Sequence, residues 1–184
     1  MRSREKVVDE MLVLAAQAGQ VEAFERLAVR WHPRLLRHAR RLTGDAEGAR
    51  EAVQEAWLAV ARGLRRLDDP ARFASWVFRI VGRRCFDWIA GRSRERRRAA
   101  DLDEAAGAPA GPGADPDDIV RVREALRRLA PEPRALLALF YAEGLSIAEI
   151  AGTLGIPAGT VKSRLYHARE RLRAVLEVRH DQAI

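Results

Sequence analysis

The sequence is poor in cysteine, in long apolar runs and in histidines placed to bind metal. Its 184 residues include one cysteine, Cys85, which excludes an intrachain disulfide and a cysteine-based zinc site. The four histidines do not stand at ligand spacing beside a carboxylate, so we expect no catalytic metal centre. No run of about eighteen uncharged apolar residues occurs, which excludes a membrane-spanning helix. Asp9 and Glu10 interrupt the segment in which the apolar core of a signal peptide would lie, and we therefore expect a cytoplasmic protein.

Charge is abundant and unevenly distributed along the chain. The sequence has 33 basic and 26 acidic residues, for a net charge of +7. Residues 1–98 carry 22 basic and 13 acidic side chains, residues 99–118 carry six acidic and no basic ones, and residues 119–184 carry 11 basic and seven acidic ones. Two basic blocks separated by an acidic one are typical of two nucleic-acid-binding modules on a tether.

Proline, glycine and acidic residues concentrate in one stretch, residues 99–117, which contains almost no large apolar side chain. Such a segment cannot bury enough surface to order itself, and we predict a flexible acidic linker. Elsewhere apolar residues recur at the helical spacing of three and four, without period-two alternation. The sequence therefore predicts an all-α protein with two small helical domains, residues 1–98 and 118–184, joined by this linker.

Stop and start signals predict several helix ends. Residues 43–45, with the sequence Thr-Gly-Asp, predict a helix end followed by a new N-cap. The next helices are predicted over residues 46–67 and from residue 73 to about residue 94. Pro131 and Pro133 predict the end of a first helix of the second domain, with another helix at residues 135–141.

The segment from residue 144 to residue 165 carries a helix-turn-helix pattern. Ser146 with Glu149 three residues later is a capping box, which starts a short helix. Gly155 suits the left-handed conformation at the end of that helix, and Pro157 suits the start of the next one. Two helices joined by a short glycine turn place the second helix in the DNA major groove. The alternative is a helical hairpin with a solvated basic face.

On these residues the C-terminal block resembles the promoter-binding end of the extracytoplasmic-function (ECF) sigma factors, the smallest class of bacterial RNA polymerase sigma subunits. The N-terminal block supports the same resemblance with four motifs in the order and spacing of the family's other domain. These are Ala23-Phe24, HPRLL at residues 32–36, EAVQEAW at residues 51–57 and FASWVFRI at residues 73–80. The resemblance covers most of residues 12–95 and 124–176.

The resemblance implies three interaction surfaces, which we transfer to this sequence position by position. Contact with the −35 promoter element is implied for Thr160, Lys162, Ser163, Arg164, Tyr166 and His167. Capture of the melted −10 strand is implied for Leu67, Asp68, Asp69, Arg72, Arg79 and Arg83. Docking on the clamp helices of the largest polymerase subunit is implied for Glu51, Gln54, Glu55 and Leu58.

Three of these positions depart from the residue that is common in the family. Leu67 stands where many members carry an aromatic residue, and Arg83 stands where many carry asparagine. His167 stands where arginine is common. We expect these departures to alter the preferred promoter bases.

The resemblance implies a promoter-specificity subunit that performs no covalent chemistry and needs no cofactor. Its expected partners are core RNA polymerase, through the clamp helices and the flap region, promoter DNA and an anti-sigma factor, without membrane insertion. One alternative is a stand-alone helix-turn-helix regulator. A second alternative is a nuclease that uses the adjacent Asp68 and Asp69, although no motif places a third metal ligand.

Overall fold

The computed structural model describes the backbone of residues 4–100 and 117–177, and the side chains of residues 4–95 and 121–177. All regular structure within these ranges is helical, which confirms the all-α prediction. The predicted linker, residues 99–117, lies almost entirely outside the described residues. None of the described helices has the length and apolarity needed to cross a membrane.

The described helices fall into two halves. The N-terminal half contains α1 (Arg4–Gln17), α2 (Val21–Thr43), α3 (Ala46–Gly63) and α4 (Phe73–Ala100), with short 3₁₀ turns at Leu64–Arg66 and Pro70–Arg72. The C-terminal half contains α5 (Asp117–Arg128), α6 (Pro131–Leu137), a π-helical turn (Ala138–Ala142), α7 (Ile147–Leu154) and α8 (Ala158–Glu177).

Burial of apolar side chains at helical spacing holds each half together. In the N-terminal half, α2, α3 and α4 pack on one another and bury Leu27, Val53 and Val77 completely. Trp31 of α2 meets the α4 rings edge-on, at 5.2 Å from Phe73 and 5.9 Å from Phe78 between ring centroids. In the C-terminal half, α8 packs on α6 and α7, and the buried residues include Leu136, Ile150, Val161 and Leu165.

The predicted boundary between α2 and α3 is confirmed in atomic detail. Gly44 ends α2 with a φ of 69°, in the left-handed region where glycine has no steric penalty. The side chain of Asp45 accepts a 2.8 Å hydrogen bond from the backbone N–H of Gly48 and so caps α3. Gly48 is required for packing, since a Cβ there would overlap the ring of Trp88.

Two predicted helix boundaries are wrong. The helix predicted over residues 46–67 ends at Gly63 and continues only as a 3₁₀ turn. Glycine is a poor helix former, and the Gln17 amide binds the backbone carbonyls of Leu64 and Leu67. The helix predicted at residues 135–141 starts earlier, at Pro131, because the first turn of a helix needs no N–H from proline.

The two halves meet at a surface that we call the central interface. In this interface α2 contacts α6 and the turn that follows it, α4 packs on α7, and α1 contacts the start of α7. Glu143, between the π-helical turn and α7, contributes a carboxylate that is only 4% exposed. Its oxygens accept 2.9 Å hydrogen bonds from Arg34 Nε and Arg41 Nη1 of α2. Lys6 Nζ of α1 lies 2.6 Å from an oxygen of Glu149 in α7. Ion pairs thus join the halves at two places.

Candidate nucleic-acid interface

The start of α7 is fixed by the predicted capping box. Ser146 Oγ accepts a 3.2 Å hydrogen bond from the backbone N–H of Glu149, and the backbone N–H of Ser146 donates to Glu149 Oε2 at 2.8 Å. These reciprocal bonds satisfy two N–H groups that a helix start would otherwise leave unpaired. The first helix of the helix-turn-helix therefore begins at a defined residue, as the sequence predicts.

A three-residue turn connects α7 to α8. Gly155 adopts a φ of 67°, and its backbone N–H donates to the carbonyl of Ala151 at 2.8 Å. The carbonyl of Pro157 accepts a 3.1 Å hydrogen bond from the N–H of Val161, so proline immediately precedes the first helical residue. The turn matches the sequence prediction and sets the direction in which α8 leaves α7.

All six residues predicted for the −35 element lie in the first half of α8. Thr160 is half-buried, and the exposed members of this group are Lys162, Ser163, Arg164, Tyr166 and His167. The opposite side of α8 buries Val161, Leu165 and Ala168 in the C-terminal half. Burial of that side leaves a polar face of hydroxyl, cationic and aromatic groups on the outside, which is the composition that reads base edges and phosphates.

The structure adds a pair of residues to the edge of this face that the sequence analysis does not single out. Arg169 Nε donates a 2.7 Å hydrogen bond to the hydroxyl of Tyr141, and the guanidinium lies 5.5 Å from the ring centroids of Phe140 and Tyr141. The π-helical turn carries both aromatic residues. No sequence signal marks this pairing, because it joins positions 28 residues apart through a rare helical turn.

The loop predicted to capture the −10 strand lies between α3 and α4. Asp68, Asp69 and Arg72 are exposed, whereas Leu67 is half-buried and packs against the core. Asp69 Oδ1 accepts a 3.0 Å hydrogen bond from the N–H of Ala71, and Asp69 Oδ2 lies 3.4 Å from Arg72 Nε. Four of the six predicted −10 residues therefore lie in one loop, and Asp69 and Arg72 are in contact there.

The other two predicted −10 residues, Arg79 and Arg83, lie further along α4. Arg79 Nε donates a 3.1 Å hydrogen bond to the carbonyl of Thr153 in α7, and its guanidinium approaches Gly155. Arg79 therefore belongs to the central interface in this arrangement. Arg83 is exposed, one helical turn beyond Arg79.

The central interface depends on ionised carboxylates. Burial tends to raise the pKa of Glu143, but the nearby His38 and Arg34 outweigh that effect, and the pKa is lowered from its usual 4.5. His38 Nδ1 is 3.7 Å from the carboxylate, beyond hydrogen-bond distance. The pKa of Glu149 is likewise lowered, since burial is outweighed by Lys6 and by hydrogen bonds from Ser146. Both carboxylates stabilise the folded chain fully above about pH 4.5 and lose that effect as the pH falls through their lowered pKa values.

The four residues predicted to contact the polymerase share one exposed face of α3. These residues are Glu51, Gln54, Glu55 and Leu58. They are spaced by one or two helical turns and therefore lie on the same side of α3. Leu58 is 53% exposed, so an apolar residue lies on the surface among these polar and acidic groups. Glu55 Oε2 lies 3.5 Å from Arg84 Nε of α4, so α4 helps to orient this face.

Two observations on the described residues concern metal and thiol chemistry. No group of three or more histidine, cysteine, aspartate or glutamate residues is placed to hold a metal ion among the described residues. Cys85 is fully buried, and burial raises the pKa of its thiol to about 12. A thiol in that state is protonated and unreactive at neutral pH.

Comparison with known protein families matches both halves separately. The family model described as Sigma-70 region 2 matches residues 27–95. The model described as Sigma-70, region 4, matches residues 119–172. Together these models match more than half of the chain and define a sigma-70 type protein.

Individual relatives show which class of sigma-70 type protein this is. The ECF RNA polymerase sigma factor SigM of Mycobacterium tuberculosis is 36% identical over 168 residues, which cover 91% of this chain and 84% of SigM. The ECF RNA polymerase sigma-E factor of Escherichia coli is 29% identical over 184 residues, covering 91% of this chain and 94% of that protein. The chain belongs to the ECF sigma factor family, as the sequence motifs predict.

Solved structures agree with this assignment. CnrH, solved in complex with the cytosolic domain of CnrY, has a TM-score of 0.70 and 28% identity, covering 93% of this chain and 98% of CnrH. The sigma factor RpoE from Bartonella quintana, solved with the anti-sigma factor NepR, has a TM-score of 0.69 and covers 84% of this chain and 97% of its own. At 24% identity, the latter supports the fold alone.

Proposed function

We propose that this chain gives core RNA polymerase its promoter specificity through three surfaces: the outer face of α8, the loop before α4 and the outer face of α3. The observation that carries this proposal is the polar outer face of α8. This helix follows α7, which starts with a capping box and ends at the left-handed Gly155. As a specificity subunit the chain itself makes and breaks no covalent bond. It acts where the polymerase acts, in the cytoplasm.

The −35 element is the proposed ligand of α8, read as a duplex in the major groove. Lys162, Tyr166 and His167 are exposed and long enough to reach base edges, and Ser163 adds a short hydroxyl. Thr160 and Arg164 are the proposed phosphate contacts. His167 replaces the arginine common in the family, and we expect the replacement to change the base preference at the position that it contacts.

The −10 element is the proposed ligand of residues 67–72, read as a melted strand. Exposed Asp68, Asp69 and Arg72 offer hydrogen-bond acceptors and a cation beside a rigid helix start. Unstacking a base from the DNA requires a few kcal/mol of free energy. Binding of the unstacked base by this loop can offset that requirement. Arg79 and Arg83 are the proposed phosphate contacts on α4, with Arg79 available once it leaves Thr153.

The exposed face of α3 is the proposed docking site for the polymerase clamp helices. An exposed leucine surrounded by polar and acidic groups resembles the apolar centre and polar rim of a protein interface. The regions matched by the family models lie inside the proposed domains 1–98 and 118–184. We place the flap contact in the second domain, and we include an anti-sigma factor among the partners because the related CnrH and RpoE were solved with partner proteins.

Replacing Lys162 by alanine should relax sequence choice at one position of the −35 element. The lost base contact should reduce discrimination at that position by about 1–3 kcal/mol. The measurement is the affinity of holoenzyme for a set of promoters that differ at single −35 positions. Arg127→Ala removes an exposed cation from α5 and serves as the control, with selectivity unchanged. A uniform loss across all promoters would show that Lys162 contacts phosphate and not a base.

The double variant Gln54→Ala, Glu55→Ala should weaken binding to core polymerase at every promoter. It removes two exposed polar groups from α3 and leaves the buried side of that helix intact. We expect about a tenfold higher Kd for core enzyme, since the loss of two hydrogen bonds worth about 0.5–1.5 kcal/mol each corresponds to roughly that factor. The control, Gln20→Ala with Glu22→Ala, removes the same two chemical groups elsewhere on the surface. An unchanged Kd would contradict the clamp assignment.

Run-off transcription distinguishes this function from its alternatives. Core polymerase with this protein should initiate at a specific promoter without another sigma factor. A stand-alone helix-turn-helix regulator would require another sigma factor in the reaction. Magnesium-dependent cleavage of DNA by the purified protein would instead support the nuclease alternative.

A further inference from the structure

A glutamine at the end of α1 binds the loop that connects α3 to α4. Gln17 Nε2 donates hydrogen bonds of 2.8 Å to the backbone carbonyls of both Leu64 and Leu67. A carboxamide has two N–H hydrogens on this nitrogen, and the two carbonyls account for both. The residues joined in this way lie 47 and 50 positions apart in the sequence.

These hydrogen bonds fall where the backbone leaves the helix. α3 ends at Gly63, and beyond it only a 3₁₀ turn continues, in which the N–H of Leu67 donates to the Leu64 carbonyl at 3.1 Å. Leu64 is 3% exposed, so solvent has little access to this point. The Gln17 amide adds a second donor to the Leu64 carbonyl and binds the Leu67 carbonyl, and so it holds the chain as it turns into the extended conformation of Leu67, with φ −80° and ψ 102°.

The segment beyond Leu67 is short and is held at both ends. Asp68 and Asp69 follow directly, and the Asp69 side chain binds the N–H of Ala71 at the start of the next 3₁₀ turn. α1 also packs against that second turn, at Pro70–Arg72. The direction in which Asp68 and Asp69 project is therefore set by Gln17 on one side and by the start of α4 on the other.

We infer that Gln17 is a positioning residue for selection of the −10 sequence. It presents Leu67, Asp68 and Asp69 to the melted strand in a fixed geometry while lying behind the loop. A loop that is free to move would lose selectivity, because small displacements of a binding group weaken its contacts. The inference rests on the proposed function, in which residues 67–72 bind the −10 strand.

The chemistry of the site defines two informative variants. Gln17→Glu has nearly the same shape but turns acceptor oxygens toward two carbonyl oxygens, and the bonds are lost to repulsion. Gln17→Met keeps the length and removes the donors without adding charge. Either variant should leave the buried cores of both halves in place, since neither changes a core side chain.

The experiment uses holoenzyme assembled with the full chain. We expect both variants to reduce discrimination between matched and mismatched −10 strands about tenfold on templates with a pre-melted −10 region. Affinity for core polymerase and for −35 duplex should stay within twofold of the unaltered protein. A role confined to folding would lower all three affinities together, and that result would overturn the inference.

A second measurement does not require holoenzyme, and it applies if a variant binds core polymerase poorly. Amide hydrogen exchange of the free chain should accelerate at least tenfold in residues 64–72 of Gln17→Met and remain unchanged in α8. Unchanged exchange in residues 64–72 would overturn the inference.

Asp69→Ala and Arg72→Ala separate failure of this inference from failure of the proposed function. If they alter −10 selectivity and the Gln17 variants do not, Gln17 has no positioning role and the loop assignment stands. If none of these variants alters −10 selectivity, the loop assignment itself is wrong and the inference falls with it.

Discussion

Replacing Phe78 by alanine is expected to lower the free energy of unfolding by about 3–5 kcal/mol. Phe78 is 1% exposed, and its ring meets Trp31 and His38 at centroid distances of 5.9 and 4.9 Å. The Arg34 guanidinium lies 5.2 Å from the same ring. The substitution therefore removes a core side chain and also the ring that packs against Arg34, the residue that binds Glu143.

Equilibrium unfolding in urea measures this loss. Phe86→Ala makes the same chemical change two helical turns further along α4, where the ring is only partly buried, and should cost less. A loss below about 1 kcal/mol for Phe78→Ala would mean that the ring is not part of a close-packed core.

Replacing Glu143 by glutamine is expected to open the central interface. The carboxylate is nearly fully buried and accepts from Arg34 and Arg41, while Arg34 Nη2 also donates to the Glu143 backbone carbonyl at 2.7 Å. Glutamine has no charge and directs an N–H group at one of the guanidinium groups. Hydrogen bonds to charged groups each contribute about 1.5–3 kcal/mol, so we expect at least a tenfold rise in the population with separated halves.

Small-angle X-ray scattering of the free chain measures this opening as an increase in the radius of gyration. Glu132→Gln makes the same change at an exposed position of α6 and should leave the scattering unchanged. Acidification of the unaltered chain below about pH 4.5 should produce the same expansion, because Glu143 and Glu149 both lose their charge in that range. An unchanged radius of gyration for Glu143→Gln would show that these ion pairs do not hold the halves together.

Features determined by neighbouring residues were predictable from the sequence. The capping box of Ser146 and Glu149 and the left-handed glycines 44 and 155 act within a few residues of the chain, and each occurs as expected. The exposed face of α8 also follows from helical periodicity alone. These local signals, together with the family motifs, were sufficient for the fold class and for locating the candidate −35 surface.

Features determined by distant residues were not predictable in this way. The early end of α3 depends partly on Gln17, which no pattern near Gly63 reveals. The burial of Glu143 depends on cations from α2 more than 100 positions away, and an isolated glutamate between two helices is normally exposed. Arg79 was expected beside the −10 loop, and its contact with Thr153 follows from how the halves pack.

The central interface has a consequence for how this factor engages a gene start. Elements centred near −35 and −10 are about 25 base pairs apart, or roughly 85 Å along the duplex. A folded chain of this size has a radius of gyration of about 16 Å. While Glu143 remains bound to α2, the protein is too short to touch both elements, so promoter engagement requires these ion pairs to dissociate first. The stability of these ion pairs therefore opposes simultaneous engagement of the two elements.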